Sequence, residues 1–214
     1  MKWPVVVSTV VAIVSLGYVH VALPAQTLIS DYALVSGGLA PVMLGMLALG
    51  AGCVFLAYGL AVREPSRSAA TRVLLVFAAA GLMLSAVFPT DPGTGVGSLA
   101  GEIHRWGSAV VFTALPVAGW VLARGRTAAP RWHLVRSLSL TSALTLGLYL
   151  AAHPASITSG LIGGVAYYGL LERGLVVAEI VLVAVMAVAA SREAVPVLRA
   201  VPSPSEESRE RLAA

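Results

Sequence analysis

Six apolar runs decide what this chain can become. They cover 4–23, 39–62, 69–88, 103–123, 134–152 and 170–190, and each approaches the ~20 residues that a helix needs to cross a bilayer core. Within lipid no water can satisfy exposed backbone groups, so a spanning segment has to be a helix with its bonds internal. Pro24, Pro89, Pro92, Pro130 and Pro154 fall where the runs break, as residues that cannot continue a helix should. With 58% hydrophobic and 11% charged residues, the chain has too little polar side chain to coat a water-facing globule. The expected fold is all-α: a polytopic membrane protein whose residues 1–192 form one compact bundle of six transmembrane helices. The remainder, 193–214, is rich in Pro, Ser and charge, and is expected to be a disordered cytoplasmic tail.

The basic residues orient this bundle. Lys2, then Arg63, Arg67 and Arg72, then Arg124, Arg126, Arg131 and Arg136, then Arg192, Arg199, Arg209 and Arg211 all fall on one side. They make up 12 of the 14 Lys and Arg; only Arg105 and Arg173 fall on the other. By the positive-inside rule both termini are cytoplasmic, and the expected location is the bacterial cytoplasmic membrane. Nucleic acid is excluded as a partner despite a pI near 9.6, because charges this sparse form no phosphate-binding face. The first run reads as a retained helix and not a signal peptide. Only Lys2 forms its basic region, and "VALPAQ" lacks small residues at both cleavage positions. A single cysteine, Cys53, rules out an internal disulfide. "SGGL" at 36–39 and "SGLIGG" at 159–164 each precede a helix re-entering from outside, a faint sign of an internal repeat.

Once the chain is oriented, its outer side holds more chemistry than topology requires. His20, His104 and His153 lie at outer helix ends, and Asp31, Asp91, Glu102, Glu172 and Glu179 lie outside or in an outer helix half. Glu179 is the most informative, sitting near the middle of "LLERGLVVAEIVLVAVMAVAA". An acid there costs about 2.5–3.5 kcal/mol on insertion scales, so it must face the bundle interior, neutral or paired. Glu172 precedes it by seven residues and shares its helix face, while the adjacent Arg173 points elsewhere. The plainer alternative is a buried acid hydrogen-bonded to a neighbouring helix for packing alone.

The other candidates carry stronger plain alternatives. Glu102 and Arg105 stand at i and i+3, where an interfacial ion pair contributes little. His104 points away from both, and a lone His at a helix end is usually an interface residue. Asp91 lies between Pro89 and Pro92, where an Asp is a routine turn former. "GTGVGSLAG" is not a phosphate loop, since it follows a membrane helix instead of a strand. A metal held by His20, His104, His153, Asp91 and Glu102 is disfavoured. The donors come from four segments with no paired-His spacing, so no metal or other cofactor is expected. No nucleophile elbow of the G-x-S-x-G type exists for a hydrolase triad.

Phe88-Pro89-Thr90-Asp91-Pro92, followed by Leu99-Ala100-Gly101-Glu102-Ile103-His104, resembles the F-P-x-D-P and L-H-G-x-x-H boxes of a bacterial family of six-helix membrane proteins of unknown function. Ala100 stands where that family's second box has its first His. "GLLERGLVVAEI" at 169–180 is similar to the family's last helix. The resemblance implies the fold and topology and no chemistry.

Three functions fit these residues. The leading one is a membrane-embedded enzyme acting on a membrane lipid, an isoprenoid or another hydrophobic small molecule from the outer leaflet. Glu179 or Glu172 would be a general acid, and Asp91 or His104 a proton acceptor. Glu102, Arg105, Arg173, His153 and His20 would contact substrate. Small membrane-bound terpene cyclases offer an analogy, with few helices and paired acids. A proton-coupled carrier would use the same intramembrane groups, with a homodimer supplying the missing path. A scaffold subunit would use the polar cluster only to hold loops together. In the first two cases 88–108 is expected to be a lid placing Asp91, Glu102 and His104 above Glu172 and Glu179.

Overall fold

The computed structural model describes residues 2–93, 95, 97–126 and 129–192, so the expected tail at 193–214 lies outside the described residues. Six long helices dominate: α1 (Lys2–Ala22), α2 (Leu39–Arg63), α3 (Ala69–Val87), α4 (Leu99–Ala123), α5 (Pro130–Ala152) and α7 (Tyr168–Ser191). A one-turn helix, α6 (Ser159–Ile162), and two 3-10 turns, Ser30–Leu34 and Gly164–Ala166, occupy connections at one end of the bundle. All six long helices have the length and apolarity to cross a membrane. Six crossings return the chain to the side where it began. The end carrying the 3-10 turns and α6, which the charge pattern assigns to the outside, is called the outer end below.

Two helices begin earlier than the apolar runs imply. α4 starts at Leu99, where the Ser98 hydroxyl accepts the Gly101 N–H at 3.0 Å as an N-cap. α5 starts at Pro130, a residue pre-set for a first helical turn. Glu102, His104, Arg105, Arg131 and His133 interrupt the apolar pattern there. Polar side chains end a hydrophobic run at the water interface without ending the helix.

The packing follows the membrane rule, with small and weakly polar residues between helices and large aliphatic ones towards lipid. On α1, Ser8, Thr9, Ala12 and Ser15 are buried while Val7, Val10, Val14 and Tyr18 are exposed. α3 and α4 cross closely because Gly81 and Gly107 face one another. A Cβ on Gly81 would come 2.6 Å from the Gly107 carbonyl oxygen, and one on Gly107 2.7 Å from the Ser85 hydroxyl. α4 and α5 approach in the same way, since a side chain on Gly119 would overlap the Ser139 hydroxyl. α7 sits at the centre, against α1, α2, α4 and α5. Polar residues clamp the inner end. Arg126 pairs with Glu64 and lies over the Trp132 ring, and Arg63 donates to the last carbonyls of α7, those of Ala190 and Ser191.

Candidate functional site

Because α7 is the central helix, its polar residues end up deep. Glu179 is 1% exposed and lines a cavity of ≈60 Å³. Ile29 lies above it, Leu49 and Leu82 flank it, and Ser85 and Ser108 form a polar strip across it. The two serine hydroxyls are 3.1 Å apart, and Ser85 also meets the His104 carbonyl at 3.2 Å. Glu179 makes no hydrogen bond among the described residues, and its Oε1 is wholly shielded. A polar group buried without a partner is costly, so packing alone gives no reason for a carboxyl here.

Glu172 lies about two turns nearer the outer end and has a partner. Its Oε2 accepts the Ile29 N–H at 2.7 Å. Arg173, the next residue, donates to the carbonyls of Gln26 at 2.6 Å and Thr27 at 2.7 Å in the same loop. Together these two side chains strap the first outer loop onto the top of α7. Ile29 is both the residue held by Glu172 and a wall of the Glu179 cavity, so this loop closes the cavity from above. Asp31, another of the outer acids, lies in the same strap. Its Oδ2 accepts the Leu28 N–H at 3.1 Å, while Oδ1 is buried without a partner. Burial pushes its carboxyl above the usual range, against the Leu28 bond and the nearby Arg173 and His104 charges, which pull it down.

His104 and Asp91 are engaged elsewhere. The His104 Nδ1–H points to the carbonyls of Ser85 and Phe88, each at 2.9 Å, so the ring fastens α4 to the end of α3. Asp91 accepts the N–H groups of Gly97 and Ser98 at 2.8 and 2.9 Å, and the Ser98 hydroxyl at 2.7 Å. These bonds, that of the Ser98 hydroxyl first, hold its carboxyl below the ordinary range. A methyl group on Gly101 would overlap this carboxylate, which is the steric reason for a glycine there. Phe88, Asp91, Gly97, Ser98 and His104 therefore act as a fastener for the α3–α4 connection, the turn-former alternative for Asp91. The expected lid, with Asp91, Glu102 and His104 standing above Glu172 and Glu179, is not the arrangement found. None of those three lines the Glu179 cavity.

Of the remaining candidates, Glu102 is exposed and accepts the Trp106 indole N–H at 3.0 Å. It lines a separate groove of ≈320 Å³ between α3 and α4. Arg105 is exposed on the same helix. His20, exposed on α1, meets the Tyr32 hydroxyl at 3.3 Å. His153 accepts the Ala155 N–H on Nδ1 at 3.1 Å, and burial and then the Arg105 charge lower its pKa. Its ring stands edge-on to Tyr168, 5.3 Å between centroids. Tyr168 stacks on Tyr149 at 4.7 Å and donates to the Tyr149 hydroxyl at 2.7 Å. Sequence reasoning passes over this tyrosine pair, although its signal is legible: two Tyr at the outer ends of otherwise aliphatic helices. Among the described residues no group of three His, Cys, Asp or Glu is placed to hold a metal.

A bundle of six apolar helices around a buried, unpartnered acid defines a class: a multi-pass α-helical membrane protein with a polar site inside its span. Residues 4–189 match the model of a family described as proteins of unknown function (DUF998), and the chain belongs to that family. No curated protein and no solved structure matches it.

Proposed function

We propose that the protein is an enzyme of the cell membrane, with both termini cytoplasmic, that performs acid–base chemistry on a lipid-like amphiphile at Glu179. The observation that carries this reading is the carboxyl itself, buried at mid-span and lining a cavity, with no hydrogen bond among the described residues. Intramembrane ionisable groups are functional by default because lipid makes them expensive to keep. The step that suits a single carboxyl is a proton shift. Glu179 gives its proton to one carbon of a C=C bond, and the cation that forms loses a proton from a neighbouring carbon to the Glu179 carboxylate. The double bond moves or a ring closes, and the carboxyl is restored with no other reactant consumed. Asp91 and His104 are not needed as acceptors, which agrees with their use in the α3–α4 fastener. A lipid or terpenoid substrate class follows from the depth of the acid.

One observation favours a second reading. A cavity of ≈60 Å³ has room for a few water molecules and is well below the ~300–1,000 Å³ of a typical ligand site. A proton-coupled carrier would need no more than this in its closed form. The test uses purified protein in liposomes made in D2O with a panel of unsaturated isoprenoid lipids. Deuterium incorporation by the wild type, lost in Glu179→Gln, is the expected result. Proton flux into dye-loaded liposomes without deuterium incorporation would establish the carrier and overturn the enzyme.

A further inference from the structure

Resting on that reading, the α3–α4 seam carries a consequence of its own. The groove of ≈320 Å³ and the Glu179 cavity lie on opposite sides of the same helix pair, and their linings interleave along the sequence. Gly81, Leu84, Gly107 and Val110 face the groove; Leu82, Ser85, Ser108 and Val111 face the cavity. The closest approach in the wall between them is made by small residues. Gly81 and Gly107 meet backbone to backbone, and the Ser85–Ser108 hydroxyl contact is a polar link across the seam. Such a wall is thin at the glycines, with Leu82 and Val111 as its larger members.

We propose that the groove binds the hydrocarbon chain of an outer-leaflet amphiphile, and that the Gly81–Ser85/Gly107–Ser108 seam is the doorway through which that molecule reaches Glu179. The groove has the form this occupant requires. Its sides, Phe77 and Val110 at depth and Leu84 and Ile103 above, are hydrocarbon, and Phe77 and Leu84 are among the exposed apolar residues of a membrane-spanning surface. From Leu84 to Phe77 the groove descends about 10 Å along α3, within one leaflet. Its outer end carries the Glu102–Trp106 hydrogen bond, an acid and an indole at the level where polar headgroups and interfacial tryptophans lie. The unpartnered Glu179 lies directly behind the seam, so a molecule passing it meets the acid. His104 ties Ser85 and Phe88 to α4 at the upper edge of this seam, so the helices part below that joint.

Two measurements test this, and neither requires turnover. The full chain is reconstituted in phosphatidylcholine vesicles doped with a phospholipid carrying a diazirine at mid-chain, irradiated, and mapped by mass spectrometry. Adducts should concentrate several-fold on Leu84, Ile103 and Val110 relative to Leu144 and Leu148, although the two α5 leucines are the more exposed. Ala80→Phe, which fills the groove, should remove that excess and leave the α5 adducts unchanged. Even labelling of the two faces in the wild type overturns the binding site whatever Ala80→Phe does. For the doorway, Ser85→Cys and Ser108→Cys are combined with Cys53→Ala and oxidised. A lipid-soluble carbodiimide, which adds to protonated carboxyls in apolar surroundings, should label Glu179 several-fold less in the disulfide form and recover on reduction. Equal labelling of both forms overturns the doorway. Adducts in the groove with no deuterium exchange on any lipid would leave this site standing and sink the enzyme reading alone.

Discussion

Replacing Glu179 by leucine should make the protein more stable and inactive at once. The wild-type side chain is 1% exposed and Oε1 lacks a partner, and an unpaired buried polar group costs about 1–3 kcal/mol. Leucine removes that cost and adds contacts with Leu49, Leu82 and Val111, which already line the cavity. Taking about 2 kcal/mol as the gain, the unfolding midpoint of a chain this long rises by roughly 4–8 °C. The assay is thermal unfolding of wild type, Glu179→Leu and Glu179→Gln in one detergent, followed by near-UV circular dichroism. Glu179→Gln keeps an unpaired polar group, so its midpoint should stay near the wild-type value while the deuterium signal is lost. A more stable, inactive leucine variant is the expected mark of a site kept for function at the expense of stability. A leucine variant that unfolds several degrees lower would refute the reasoning. The carboxyl would then be satisfied by ordered water in the cavity and would serve as a structural joint.

Asp91→Asn should leave deuterium incorporation intact and loosen the Gly97–Ser98 turn, read as faster amide exchange there, because the amide cannot accept all three donors. The same turn should loosen on acidification. Hydrogen bonding lowers the folded-state pKa of Asp91, so its stabilising effect is present above the unfolded value near ~4 and is lost as pH falls through the folded one. No change is expected between neutral and mildly acid pH. Arg173→Ala removes the bonds to Gln26 and Thr27 and should expose 26–31 to added protease severalfold faster while α2 and α3 stay protected. Unchanged cleavage would show that Glu172 holds the strap alone. Reporter fusions after Arg126 and after Gly97 should report opposite sides of the membrane, the basic side cytoplasmic. Matching reports would overturn the orientation.

The helices were legible because lipid imposes one solution on an apolar run, and that solution needs no tertiary information. The depth of Glu179 was legible for the same reason: position along a spanning helix fixes depth, and the cost of an acid there fixes which way it faces. Partnership was not legible. Glu172 and Glu179 are equivalent by spacing, yet one meets a backbone N–H from a loop more than a hundred residues away and the other has no hydrogen bond among the described residues. His104 and Asp91 suggest chemistry in the sequence because their residue types are reactive. Whether a reactive type is free depends on which carbonyls and N–H groups fold against it, and here those come from Ser85, Phe88, Gly97 and Ser98. For the Tyr149–Tyr168 stack, the sequence shows a tyrosine at the outer end of each helix, but the contact between the two helices is set by the tertiary packing.

The strap at the top of α7 has a mechanical meaning. Glu172 and Arg173 are successive residues, so their side chains leave the helix about 100° apart and grip one loop through opposite chemistry, a carboxylate on an N–H and a guanidinium on carbonyls. Rolling α7 about its axis in one direction stretches the first grip, and rolling it back stretches the second. The loop is thus a torsional stop that fixes the azimuth of the helix. Glu179, about 10 Å further down the same axis, inherits that azimuth, and its carboxyl is aimed into the cavity by a joint at the membrane surface.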